Sequence, residues 1–170
     1  MDRRVRKFFN GLLETHSTLF EAKRVLEYGS MTRSGVPRNL FGKAEEYVGV
    51  DWRDGPGVDA VSLMHDYKDK PNEYFDLAVS TSALEHDPHW VHSITRVHKL
   101  LRVGGSFILT TTGIGSGQHS MQSSPRKGYY HNFWMGEVLD HTAFYNGYWR
   151  IEAEEHETEK TLFFLFLGKK

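Results

Sequence analysis

Five short apolar runs follow one another along the first two thirds of the chain, separated by turns or helical stretches. This alternation limits the fold more than any other feature. The runs are Val25-Leu26 leading to Gly29, residues 47–50 ending at Asp51, 58–62, 75–80 and 106–110. Strands that are apolar on both faces belong in a parallel sheet, because the crossover helices cover both sides. The helix between the fourth and fifth runs is expected to start near Asp87-Pro88, where Asp caps and Pro suits the first turn. Val91, Ile94, Val97 and Leu101 mark its inner face, with Leu100 beside them, and Gly104-Gly105 is expected to stop it. Upstream, Val5, Phe8, Phe9, Leu12 and Leu13 form one helical stripe. A further helix is expected over 133–144, ended by Asn146-Gly147. Residues 148–154 and 161–167 then read as an antiparallel hairpin joined by a turn at 157–160.

The 170 residues, 39% of them hydrophobic, suit one domain spanning 1–170, with no repeat or linker to divide it. There is no cysteine. Disulfide frameworks, cysteine-bound zinc and thiol nucleophiles are thereby excluded, and a reducing, cytoplasmic setting is expected. The longest apolar run, 162–167, is too short to span a bilayer. A net charge of -1 gives no general attraction to nucleic acid or anionic membrane, so neither is expected as a partner. The basic cluster Arg3, Arg4, Arg6 and Lys7 reads as a solvated helix face.

In open α/β sheets, ligands bind beyond the carboxyl ends of the strands. The unusual residues of this chain collect there. Gly29 permits a tight turn and close approach of a ligand to backbone. Asp51 can accept hydrogen bonds from both hydroxyls of a ribose, with Trp52 as a flat apolar wall beside it. Leu63 and Met64 can pack on a base, and Asp66 can accept from an exocyclic amino group. Taken singly, a glycine or an acid at a strand end is often only a turn former. The ordered set carries the argument.

That set resembles the class I S-adenosylmethionine (SAM)-dependent methyltransferases, of the compact kind grouped as methyltransferase type 11. Val25-Leu26-Glu27-Tyr28-Gly29-Ser30 resembles their first motif and Val48-Gly49-Val50-Asp51 the second. Phe75-Asp76-Leu77-Ala78-Val79-Ser80 resembles the fourth-strand motif, followed by an LEH segment, Leu84-Glu85-His86. Leu100 to Phe107 resembles the turn into the fifth strand, with Val103 where proline is usual. The resemblance implies a Rossmann-like three-layer sandwich. Its sheet is seven-stranded and mostly parallel, its last strand antiparallel, and an N-terminal helix precedes it. It implies SAM as cofactor and S-adenosylhomocysteine (SAH) as product. Carried over, Glu27, Gly29 and Ser30 line the methionine portion and Asp51 holds the ribose. Trp52 flanks the adenosine, Asp66 meets the adenine edge, and Ser80 lies under the cofactor. The chain departs from the family at Met31 and Arg33, which replace the second and third glycines of the loop, with Gly35 further on. Arg33 either meets the methionine carboxylate or points to solvent; the second reading is favoured. This departure motivates the alternative of a non-catalytic SAM-binding or interaction module. A dinucleotide oxidoreductase is disfavoured, because no Gly-x-Gly-x-x-Gly follows the first strand.

Methyl transfer to O or N requires alignment of acceptor and methyl and, for many acceptors, removal of a proton. Histidine suits that task. His86, after the fourth strand, is the first candidate base. His119 and His131 are further candidates, in or beside the long aperiodic stretch 113–132, which is expected to form the acceptor pocket or its lid. The acceptor is expected to be a small molecule. His86, His89 and His92 fall at i, i+3 and i+6, which rotates the outer two well apart, so no metal is expected from them.

Overall fold

A computed structural model describes residues 3–31, 37–119, 124–141, 147–156 and 160–170. Its elements are α1 (Arg3–Thr15), β1 (Arg24–Tyr28), β2 (Glu46–Asp51), β3 (Ala60–Val61) and β4 (Phe75–Thr81). They continue with α2 (Trp90–Leu100), β5 (Leu101–Thr112), α3 (Met135–Leu139), β6 (Tyr148–Glu155) and β7 (Thr161–Lys169). Seven strands form one sheet in the order β3-β2-β1-β4-β5-β7-β6. The pairs from β3 to β5 are parallel, and β7 runs antiparallel to both β5 and β6. The expected mixed sheet with a reversed last strand is therefore present.

Period-two alternation divides the core between the faces. Leu26, Ala78, Phe107, Leu109 and Phe164 pack with Trp90, Ile94, Val97 and Leu100 of α2. Val25, Val79, Ile108, Phe163 and Leu165 pack with Val5, Phe9 and Leu12 of α1. Burying a side chain such as Phe9 contributes roughly 1.5–3 kcal/mol. These anchors hold α1 to the sheet although its outer face is charged. On that outer face Arg3, Arg6 and Lys7 are exposed, while Arg4 donates to Thr161 Oγ1 at 3.0 Å. Leu13, counted in the helical stripe, lies at its margin and is largely exposed.

Three boundaries differ from the sequence expectation. α2 ends at Leu100, and Leu101 already pairs with Phe75 as the first residue of β5. The glycine pair does not stop the helix. Gly104, at φ +80°, lies inside β5, where the register steps from Phe75↔Leu101 to Leu77↔Ser106. The glycines accommodate a bulge. β3 is only Ala60–Val61, because residues 55–58 turn and the Asp59 carboxylate accepts from the Gly49 amide at 2.7 Å. α3 regular helix ends at Leu139, and residues 142–146, including the expected stop at Asn146, lie outside the described residues. So do Arg33, Gly35 and most of the final hairpin turn. Asp87 does not cap α2 as expected: the helix starts at Trp90 with His89 at the cap position and no side-chain cap bond, and the Asp87 carboxylate instead accepts from the His89 amide at 2.7 Å in the turn before it.

Candidate active site

Strand order reverses between β1 and β4, and the parallel strands β1, β2 and β4 end together at this switch point. A cleft of about 290 Å³ opens there. Its lining comes from the turns after β1 and β2, the 63–64 segment, the β4–α2 connection and the loop beyond β5. Among the sequence candidates, Gly29, Asp51, Trp52, Met64, His86 and His119 line it.

Gly29 adopts φ +75°, and a Cβ there would overlap that of Ala83. The β1 turn thus packs directly on the segment after β4. Its amide and that of Ser30 both donate to Val50 O, at 2.9 and 3.2 Å, which ties the turn to β2. Asp51 accepts from the Met31 amide at 3.1 Å and the Arg53 amide at 3.2 Å, one to each carboxylate oxygen. Burial raises its pKa, and the backbone amides oppose the rise. A carboxylate can accept about four hydrogen bonds, so the backbone amides do not exhaust it. Arg53 stacks its guanidinium over Trp52, 5.2 Å from the ring centroid. Ser82, between Thr81 and Ala83 on the cleft wall, has φ +51°, a conformation that costs a non-glycine residue about 1–3 kcal/mol.

Glu27, Ser30, Ser80, Asp66 and His131 do not line the cleft. Glu27 is buried on the α1 side and accepts from Tyr47 Oη at 2.9 Å; burial pushes its pKa up to about 7. Ser30 and Ser80 are fully buried, each with an unpartnered hydroxyl. The Asp66 carboxylate is exposed and faces His65 at 3.6 Å. His131 Nε2 meets Glu137 at 3.1 Å, with its ring edge-on to Phe133.

The histidine triplet separates in space. His89 and His92 group with His65, at ring-centroid distances of 4.8 and 6.4 Å from it. His86 turns to the other side, 5.5 Å from His119 and 5.3 Å from Tyr130 between ring centroids. Burial, reinforced by His119 and Arg53, pushes its pKa down to about 4, so the imidazole is neutral at pH 7. Glu85 beside it is completely buried, and burial raises its pKa to about 7. Residues 113–119 and 124–132 fold back over this group. The His131 amide donates to Glu85 O at 2.9 Å, and Tyr130 donates to Thr112 Oγ1 at 3.1 Å.

Sequence reading noted Arg53, Ser82 and Glu85 at the strand ends without assigning them a role, and it missed a buried network on the cleft wall. In that network Tyr28 Oη and Ser93 Oγ donate to Asp87 Oδ2 at 2.6 and 2.5 Å. Arg53 had a signal, since it follows Asp51-Trp52 directly. Glu85 and Ser82 were visible only as residues following the fourth strand, because their significance lies in burial and backbone conformation.

The family model described as methyltransferase domain matches residues 1–157. A search among curated proteins finds no match. Solved structures share the fold. A Haemonchus contortus phosphoethanolamine N-methyltransferase 2, solved with phosphomonomethylethanolamine and SAH, aligns at TM-score 0.69 and 15% identity, covering 95% of this chain and 52% of that one. A Mesorhizobium loti SAM-dependent methyltransferase aligns at 0.66 and 18%, covering 95% and 97%. A Burkholderia thailandensis 1,6-didemethyltoxoflavin N1-methyltransferase, solved with its acceptor and SAH, aligns at 0.62 and 16%, covering 98% and 84%. Matched over residues 1–157 and built on the same sheet, the chain belongs to the methyltransferase domain family and has the fold of the class I, SAM-dependent methyltransferases.

Proposed function

We propose that this methyltransferase moves the methyl group of SAM to an O or N atom of a small-molecule acceptor, releasing SAH. The observation that carries the reading is Asp51: a half-desolvated carboxylate at a strand end, inside the switch-point cleft and beside the glycine turn of β1. The residues fit the cofactor. Gly29 keeps the β1 turn clear of side chain where a ligand approaches backbone. Asp51 accepts from the ribose hydroxyls, and Trp52, Leu63 and Met64 supply apolar surface for the adenosine. Glu27, Ser30 and Ser80 are buried behind this floor, and Asp66, outside the lining, is not needed for it. SAM itself supplies a methyl group activated by a sulfonium leaving group.

The chain then has to orient the acceptor, exclude water and manage a proton. His86 and His119 face the cleft where the acceptor must enter. A neutral His86 is free to take a proton at pH 7, but its low pKa makes it a weak base. That suits an acceptor whose proton is acidic or is lost only after transfer. A small acceptor is supported by the modest cleft, and two structural neighbours are named for small nitrogen-containing acceptors. Among the described residues, no helix is long and apolar enough to cross a membrane.

Calorimetric titration with SAM and SAH tests the reading. Both are expected to bind, and Asp51→Ala should weaken SAH binding ten-fold or more, on the order of one charge-assisted hydrogen-bond pair. Absence of binding for both ligands overturns the reading and leaves only the interaction module. Unchanged affinity in Asp51→Ala shows the pocket is elsewhere. His86→Ala should slow transfer while leaving SAH affinity intact.

A further inference from the structure

Glu85, His86 and His119 come from two segments far apart in sequence, yet one ligand atom from each lies within 4.8 Å of the others. Each side chain is arranged as a metal ligand would be. Glu85 is completely buried; its Oε2 accepts from Thr111 Oγ1 at 2.9 Å, while Oε1 has no hydrogen-bond partner. Oε1 faces His119 Nε2 at 3.9 Å, too long for a hydrogen bond. His119 Nδ1 lies 2.9 Å from Tyr130 Oη and 3.4 Å from Gly117 O. Since the carbonyl can only accept and Tyr130 donates to Thr112, the proton belongs on Nδ1 and the lone pair on Nε2. His86 is 6% exposed, and its buried Nδ1 is unpartnered. Outer hydrogen bonds that fix tautomer and orientation, with the inner atoms left unsatisfied, are the pattern of ligating side chains.

We propose that Glu85, His86 and His119 form a binding site for one divalent transition-metal ion at the mouth of the cleft. Two imidazoles and one carboxylate suit zinc or iron better than magnesium or calcium, and three protein ligands leave open positions. Bond lengths of ~2.0–2.2 Å require the donor atoms to close by about 1 Å from their present spacing. His119, with its side chain about half exposed, is the member free to make that adjustment. The sequence reading weighed only histidines along one helix, and His89 and His92 indeed stand elsewhere, with His65. The site arises instead across the β4–α2 connection and the loop after β5. With the ion held, His86 serves as ligand and no longer as proton acceptor, and the open positions are where an acceptor oxygen can bind and be oriented. That consequence rests on the methyl-transfer reading, whereas the ion site does not.

The test uses the full chain, titrated calorimetrically with Zn²⁺ and, in parallel, with Co²⁺ followed by visible absorption. One equivalent is expected to bind, with a dissociation constant on the order of ten micromolar or tighter. Glu85→Gln and His119→Ala should each weaken binding ten-fold or more. His92→Ala should bind as the unaltered chain does. SAH titration separates the two readings: His119→Ala should lose the ion and keep SAH, and Asp51→Ala the reverse. No binding of Zn²⁺ or Co²⁺ overturns the proposal. So does unchanged affinity in His119→Ala, or a loss in His92→Ala equal to that in His119→Ala.

Discussion

Glu27→Gln tests whether the first-motif acid acts on the fold or on the cofactor. The carboxyl is 2% exposed, bonded to Tyr47 Oη, and its pKa is raised from 4.5 to about 7 by burial. That rise corresponds to about 3 kcal/mol, as an upper bound. The folded state binds the proton more tightly than the unfolded state. The group's contribution to stability is therefore fully present below pH 4.5, falls as pH rises to about 7, and is lost above. Glutamine retains an acceptor for Tyr47 and never ionises, but it adds a buried N–H₂ group whose missing partner costs about 1–3 kcal/mol. Near pH 4.5 the variant should be equal to the parent or less stable. Between there and pH 8.5 its stability relative to the parent should improve by about 2–3 kcal/mol.

Urea unfolding of both proteins at pH 4.5, 6.5 and 8.5 measures this. The other titrating groups, Glu85 and His86 among them, are common to both and cancel in the difference. A difference that is flat with pH, or that moves toward the parent as pH rises, refutes the reasoning. SAH affinity measured on the same samples adds the functional half. Since Glu27 is bonded on the α1 side and does not line the cleft, affinity should change less than about three-fold, well below the loss of one charge-assisted hydrogen bond. A ten-fold loss would mean that the carboxylate reaches the methionine portion.

Gly29→Ala combines a positive φ with overlap on Ala83 Cβ, and should cost about 2–4 kcal/mol in urea unfolding. A cost below 1 kcal/mol would mean the turn yields easily, and Ala83→Gly should recover part of the loss. Tyr28→Phe removes one of two buried hydroxyl donors to Asp87 Oδ2 and should cost about 1–3 kcal/mol, since the bond is to a charged group. An unchanged unfolding midpoint would show that Ser93 and the His89 amide suffice for Asp87.

The sheet was legible because its signal is local. Val25-Leu26, Leu77 to Val79 and Phe107 to Leu109 are apolar on consecutive residues, as only strands covered on both faces are. The end of α2 was misread for an equally physical reason. A Gly-Gly pair marks a helix stop and a strand bulge alike, and only the partner strand decides. Here Phe75 already pairs with Leu101, and Lys169 Nζ donates to Leu101 O at 2.8 Å, so β5 begins before the glycines. The cleft residues Gly29 and Asp51 were legible as strand-end chemistry. Glu85 was not, because an acid in an LEH segment looks the same whether it meets solvent or is buried against Thr111 and the His131 amide.

These two levels of legibility follow the division of labour in the fold. Contacts that build the cofactor side of the cleft are short in sequence or run between adjacent parallel strands, such as Gly29 and Ser30 with Val50, and Met31 with Asp51. They are fixed once β1, β2 and β4 pair. In the reading proposed above, the acceptor side depends on the loop beyond β5 returning to the β4–α2 connection, through the His131 amide on Glu85 O and Tyr130 on Thr112. That loop can vary in length and composition without disturbing the sheet. A chain that keeps the first half and changes the second therefore keeps its cofactor class while changing what it methylates. In this chain that loop brings His119 to the buried Glu85 carboxylate.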